Sequence, residues 1–308
     1  MEIWGETMEY CFSRLKDRVL EAVEDTDLNS LFVGLLGIRG NTLVTGVGGS
    51  SVVSCYVAKV LSAKNHILAE HRYPRDLLYG SLSYWQNVVS CSYSGGNIGV
   101  DASFYNGLQK YLFSANTREG ARPLQYKVRD EELSFVSFAG TLIPMALAFL
   151  YYTNNDQKLL KEILETEYIF PQVPQTKVVE VLGGRENSVA MRFLDSTLCE
   201  GALAAPVLHE TYNYAHGCCQ LNDRFHNDLI YFTADNEYDR LLQSELPGFY
   251  ERVAQFSPLY NDEVINEFAS VHRMMHLCKA MAEAQGRDLS KKVVPEISET
   301  LYTYRGLL

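Results

Sequence analysis

Two short stretches combine glycines with hydroxyl side chains in a way that could hold an anion: Gly46-Val47-Gly48-Gly49-Ser50-Ser51 and Ser92-Tyr93-Ser94-Gly95-Gly96-Asn97. Each follows an apolar run of strand length and precedes a helical pattern. At such a junction the first N–H groups of the helix are unpaired, its dipole favours negative charge, and glycine lets the backbone come close. Hydroxyls and backbone N–H groups can hold a phosphate without arginine. Glycine-rich turns also simply close strand–helix connections. A dinucleotide reading of the first loop lacks the third glycine at the expected offset, and Glu70 is a weak candidate for the ribose acid. Metal binding is not expected: Cys218 and Cys219 are adjacent, too close in sequence for both thiolates to reach one zinc, even with His216 and His226 nearby. His272 and His276, four apart on a helical pattern, have no carboxylate at ligand spacing. No cofactor is expected.

The elements that must position these loops read as a repeated strand–loop–helix scheme. Asn41 to Val47 is a strand entering the helix pattern of Ser50 to Ala63. Trp85 to Ser92 is a buried strand followed by a helix pattern over Val100 to Leu112. Glu165 to Thr176, with two prolines, is the candidate linker. The scheme then restarts with the strand Lys177 to Leu182, a helix pattern from Glu186 to Ala205, the strand Asp228 to Thr233 and a helix from Asn236 to Leu246. A long amphipathic helix, Asp262 to Gln285, stops at Gly286. The expectation is an α/β chain of two similar subdomains, each a parallel sheet with helices on both faces. Their expected bounds are 31–165 and 176–308, behind an N-terminal helical segment over 1–30.

Composition limits the partners. The 308 residues are 47% hydrophobic and 21% charged, enough apolar material for a core without metal or disulfide staples. With 27 Lys+Arg against 38 Asp+Glu, the net charge of −11 argues against nucleic acid or an anionic membrane as the main partner, while leaving room for a local anion pocket. Seven scattered cysteines read as reduced thiols of a cytoplasmic protein. The uncharged stretch Leu133 to Thr153 has about a spanning length, but Pro144 and its polar first half favour a helix starting near Pro144 and buried in a globular core.

In these residues the sequence resembles the sugar isomerase (SIS) domain proteins of the double-domain type, typified by the isomerase half of glucosamine-6-phosphate synthase and by fructosamine-6-phosphate deglycases. Members have a glycine-rich first turn ending in serine, here Gly48-Gly49-Ser50. They then have a Ser-x-Ser-Gly-x-Thr phosphate loop, here Ser92 to Asn97. In the second half Gly184-Arg185, Glu200 and His216-Gly217 match the family's order and spacing, and Asp288-Leu289-Ser290-Lys291 stands where members have a segment with a catalytic lysine. The resemblance covers about residues 31 to 300. It implies phosphate binding by Gly48, Gly49, Ser50, Ser92, Ser94 and Asn97, with Glu200 as base, His216 as ring opener and Lys291 as the cation beside the developing oxyanion. Those residue types suit aldose–ketose interconversion, which moves a proton between C1 and C2 through an enediol. Taken alone, each also has an ordinary structural explanation.

Some positions depart from the pattern. Asn97 replaces threonine, Cys218 replaces proline after the His-Gly pair, and Thr197 replaces the synthase lysine, which argues against amination. Arg185-Glu186-Asn187 is poor in glycine, arguing against a second phosphate site. One continuous helix from Glu200 to His216 would separate them by about 24 Å. Either the chain turns sharply near Pro206, or His216 serves the Glu200 of a second subunit. The resemblance favours the second alternative, hence an expected homodimer. The substrate class is a phosphorylated sugar or amino sugar, acted on by isomerisation or by deglycation of a ketosamine phosphate. The alternative is a non-catalytic sugar-phosphate sensor.

Overall fold

The computed structural model describes residues 5–221, 226–234 and 236–292, so the part of the expected second subdomain beyond 292 lies outside the described residues. These fall into two compact units, residues 5–165 with 290–292, and Thr166–Leu289.

The first unit opens with helices α1 (Met8–Asp25) and α2 (Leu28–Leu36). Thr7 caps α1 by accepting the Tyr10 N–H at 3.2 Å, and the buried stripe Leu15, Val19 and Ala22 lies on a later helix, α6. There follow β1 (Thr42–Thr45), α3 (Gly49–Asn65), β2 (Ala69–His71), α4 (Pro74–Tyr79), β3 (Asn87–Cys91), α5 (Ile98–Phe104), β4 (Gln109–Ser114), β5 (Arg122–Gln125), α6 (Phe138–Tyr152) and α7 (Gln157–Leu164). The strands form a wholly parallel sheet in the order β2-β1-β3-β4-β5. Central β1 and β3 are buried along their whole length, with the apolar pairs Leu43-Val44 and Val88-Val89 at their middle flanked by small polar residues. Helices α3 and α6 pack together on one face. Leu77 of α4 and Ala102 of α5 meet Leu43 and Val88 on the other.

The second unit contains β6 (Val178–Gly183), α8 (Ser188–Glu200), β7 (Ala205–Glu210), α9 (Thr211–Tyr214), β8 (Asp228–Phe232), α10 (Glu237–Glu245), β9 (Val253–Phe256) and α11 (Glu263–Ala284). Its sheet, order β7-β6-β8-β9, is again parallel. Helices α8 and α11 pack together. On the opposite face, Leu242 and Tyr214 from α10 and α9 pack on Leu182, Leu229 and Tyr231 of the strands. The expected pair of parallel α/β subdomains is therefore observed.

Three local expectations change. The helix expected over 100–112 ends at Phe104, and Lys110 to Ser114 lies in β4, where Tyr111, Leu112 and Phe113 are buried beside β3. The helix expected over 186–205 ends at Glu200: Gly201 leaves no room for a side chain, since a Cβ there would meet Leu289 at 2.5 Å, and Ala202 takes a left-handed φ of 50°. Pro206 then lies on β7, an edge strand, where a missing N–H is tolerated. The helix expected near Pro144 begins at Phe138, capped by Ser137 and by the Glu132 carboxylate, which accepts the Ala139 N–H at 2.6 Å. It is buried over nearly its full length. Among the described residues no helix is long and apolar enough to cross a membrane.

Candidate functional site

In the first sheet the chain leaves β1 toward β2 in one direction and continues through β3, β4 and β5 in the other. The crevice outside the carboxyl ends of β1 and β3 is therefore a topological switch point, the place where open α/β sheets receive ligands. Both glycine–serine loops lie there. The first loop packs on the first turn of α5, which the second loop leads into: a Cβ on Gly99 would come within 3.5 Å of the Gly46 Cα. The first loop turns at Gly48 (φ 57°, ψ −134°), a conformation closed to L residues, and no side chain caps the first turn of α3. The half-buried Ser50 hydroxyl has no partner among the described residues.

The second loop is tied internally. Ser92, buried, accepts the Gly95 N–H at 3.0 Å, and Asn97 caps α5 by accepting the Val100 N–H at 3.1 Å. The Asn97 amide NH2 remains available to donate. Ser94 is exposed; its carbonyl accepts from Asn116, and its hydroxyl has no partner among the described residues. Ser114 donates to the Tyr93 carbonyl at 3.1 Å. Ser114 and Asn116, at the end of β4, thus brace the loop. The sequence pattern reads Val100 to Leu112 as helix, which hides most of this strand and leaves Ser114 and Asn116, just beyond that pattern, without a place. Ser50, Ser94 and Asn97 therefore present neutral donors around the switch point, with Ser92 holding the turn beneath them.

Lys291 belongs to the first unit, whereas Glu200 and His216 belong to the second. Its ammonium donates to the Glu6 carbonyl at 3.2 Å. Burial pushes the Glu6 carboxyl up, but Arg18, at 2.5 Å, outweighs it and holds the group below the usual range. Arg18 is completely buried and also pairs with Asp130 at 3.0 Å. The Phe135 N–H donates to the Ser290 carbonyl at 3.0 Å. The lysine is thus fixed by the N-terminal turn and by segment 130–135. Tyr93 of the phosphate-type loop feels the same cluster: burial pushes its phenol up to about 12, with Glu131 and Glu132 adding.

In the second unit Glu200 ends α8. It is half-buried, no described residue pairs with its carboxylate, and burial pushes the carboxyl up to about 7. His216 is exposed, and its backbone N–H donates to the Asn213 carbonyl at 3.0 Å. The sharp turn between them occurs at 201–204, before Pro206, and β7 then runs parallel to β6 with Ala205 beside Val178 and Glu210 beside Gly183. Glu200 therefore lies at the amino edge of the sheet and His216 beyond its carboxyl edge, separated by the depth of the sheet, about 17 Å. A single chain does not bring them together.

The start of α8, the counterpart of the anion seats in the first unit, is filled from within. Buried Glu267 accepts the Val189 and Ala190 N–H groups, each at 3.0 Å. Glu186 folds over Gly184, where a Cβ would come within 2.4 Å of both its oxygens. Two carboxylates occupy the place a phosphate would take. The neighbouring cavity of about 340 Å³ is lined by Arg185, Ser188, Leu208 and His209, among others. His272 and His276 face each other on α11 with Nε2 atoms 3.3 Å apart, and no group of three or more metal-ligating residues occurs among the described residues.

No protein-family model matches this sequence, and no curated protein matches it. Solved structures do. Glucosamine-6-phosphate deaminase from Thermotoga maritima superimposes with a TM-score of 0.70 at 15% identity, over 94% of this chain and 98% of that one. The C-terminal domain of glucosamine-fructose-6-phosphate aminotransferase from Francisella tularensis gives 0.69 at 12% identity, over 92% and 97%. The fold is the double SIS fold. Tagatose-6-phosphate ketose/aldose isomerase from Escherichia coli shares it too, with a TM-score of 0.67 at 15% identity, over 94% of this chain and 96% of that one. Identities this low carry the double SIS fold alone, so the chemistry of this chain rests on its own residues.

Proposed function

We propose that this double SIS protein is a phosphosugar-processing enzyme, an aldose–ketose isomerase or ketosamine-phosphate deglycase working through an enediol or enediolamine at C1–C2. The observation that supports this is the state of Glu200: a carboxyl with no partner among the described residues, raised by burial to about 7. That is where a general base is most effective at neutral pH. Ser50, Ser92, Ser94 and Asn97, with the backbone at Gly48 and Gly49, hold the phosphate. Glu200 moves the proton, and Lys291 stabilises the oxyanion once its ammonium leaves the Glu6 carbonyl. His216 opens the ring in the site of a second subunit, because it is exposed and lies a full sheet depth from its own Glu200. The resulting enzyme is a homodimer with two composite sites.

The experiment is deuterium incorporation from solvent at C1 and C2 across a panel of hexose and hexosamine phosphates. Glu200→Gln is expected to slow exchange by about 10²- to 10⁴-fold; exchange that survives this substitution removes the base assignment. One observation favours a second reading, a sugar-phosphate sensor: the Lys291 ammonium is engaged with a backbone carbonyl. Phosphosugar binding without exchange by the wild-type protein would decide for the sensor.

A further inference from the structure

We propose that a buried hydrogen-bond chain, Glu180–Tyr250–Tyr214, positions His216 for ring opening, making Tyr214 and Tyr250 positioning residues; this rests on the function proposed above. Glu180 lies in β6, between β7 and β8, and is 5% exposed. A carboxylate buried there is costly unless its lone pairs are met. They are met by three donors: Tyr250 Oη at 2.7 Å, Asn227 Nδ2 at 2.9 Å and His209 Nε2 at 3.2 Å. Burial pushes the carboxyl up, but these bonds outweigh it and keep it below the usual range. Tyr250 has one hydroxyl proton and directs it to Glu180, so in the 2.6 Å contact between the two tyrosines Tyr214 is the donor.

Tyr214 is the last residue of α9, two residues before His216. A helix of four residues has no stability of its own. It is fixed at its start by Glu210, which accepts the Asn213 N–H at 2.9 Å, and at its end by the buried Tyr214 side chain, with the His209 ring edge-on at 5.6 Å. The exposed His216 side chain has no partner of its own among the described residues, so its placement depends on this short segment. An apolar contact would hold α9 against the core, but only approximately. A phenol bonded through a second phenol to a fixed carboxylate sets its depth and rotation, the kind of specificity for which buried polar networks are retained.

The test compares Tyr250→Phe and Tyr214→Phe with His216→Asn, using two probes. Fructose 6-phosphate closes a furanose ring, whereas 5-deoxyfructose 6-phosphate, its 6-hydroxyl esterified, cannot. Both tyrosine variants are expected to slow deuterium exchange from fructose 6-phosphate by about 10- to 100-fold, the cost of misplacing a catalytic group by about 1 Å. Exchange from the open-chain probe should be unchanged. Hydrogen–deuterium exchange of the protein itself gives a readout that needs no turnover: amides 211–217 should exchange faster in Tyr250→Phe while α8 and α11 keep wild-type protection. Equal slowing with both probes, or unaltered protection of 211–217, overturns the positioning role. If His216→Asn retains exchange from fructose 6-phosphate, the ring-opening assignment itself has failed. If that variant loses it while both tyrosine variants behave as wild type, the positioning inference alone has failed. Absence of exchange from both probes with wild-type protein overturns both.

Discussion

The raised carboxyl of Glu200 has opposite consequences for the proposed activity and for stability. A base with its carboxyl near 7 is protonated below that pH, so kcat/KM is expected to fall about tenfold per pH unit below about 7 and to level off above it. A pH–rate profile with its acidic limb near the unshifted value of 4.5 would contradict this. The same shift destabilises the fold. Because the folded-state value is raised, ionisation costs nothing below the unfolded value, costs progressively more between it and about 7, and has its full cost above. Glu200→Gln should therefore stabilise the protein by up to about 3 kcal/mol at pH 8 and by little at pH 4, measured as urea midpoints at the two pH values. At Asn97 the observed helix cap and the proposed phosphate contact coincide. Asn97→Ala should cost about 1 kcal/mol through the lost cap and also raise KM for a phosphosugar, whereas Asn97→Thr should keep both, as read by denaturation and initial rates.

At the scale of elements, what could be read in the sequence was what is local. The glycine–serine loops were legible because the strand before each and the helix after it lie within one continuous stretch, and both fall at the switch point. Strand β4 was not, because Lys110 to Ser114 follows a helical pattern without a proline, and only its burial beside β3 makes it a strand. Strand β7 was hidden by Pro206, which reads as a bend in a helix and is acceptable only on an edge. The anchor of Lys291 could not be inferred at all: its partner, the Glu6 carbonyl, is 285 residues away, and Glu6 is held by a buried arginine on α1. That anchor predicts a joint effect. Arg18→Met leaves Glu6 and Asp130 without their buried cation and should cost about 3–5 kcal/mol. In protein still folded at low temperature the N-terminal turn and segment 130–135 that place the Lys291 backbone are loosened, so kcat should fall. KM for the phosphosugar should stay near wild type, because Arg18 bonds to Glu6 and Asp130 and to none of Ser50, Ser92, Ser94 and Asn97. Steady-state kinetics on the variant would show whether both parameters move together, as they would if the loops had been disturbed.

For the whole molecule, the net charge of −11 and the absence of arginine from both glycine–serine loops are compatible with a phosphate ligand because a switch point supplies neutral donors and backbone N–H groups. The second unit repeats the layout but fills its own seat with Glu267 and Glu186, so one phosphate site per chain is expected. Calorimetric titration of a bound phosphosugar should give one site per subunit. Glu200 and His216 stand at opposite edges of one sheet, so the proposed site, which uses both, needs two chains. The composite site is tested by mixing Glu200→Gln and His216→Asn proteins, each expected to be inactive alone, and measuring activity after subunit exchange. Composite sites predict that the mixture regains activity, up to about a quarter of wild type, because half the dimers are then mixed and each carries one intact site. A mixture as inactive as its components, or a monomeric wild-type protein with full activity, would contradict it.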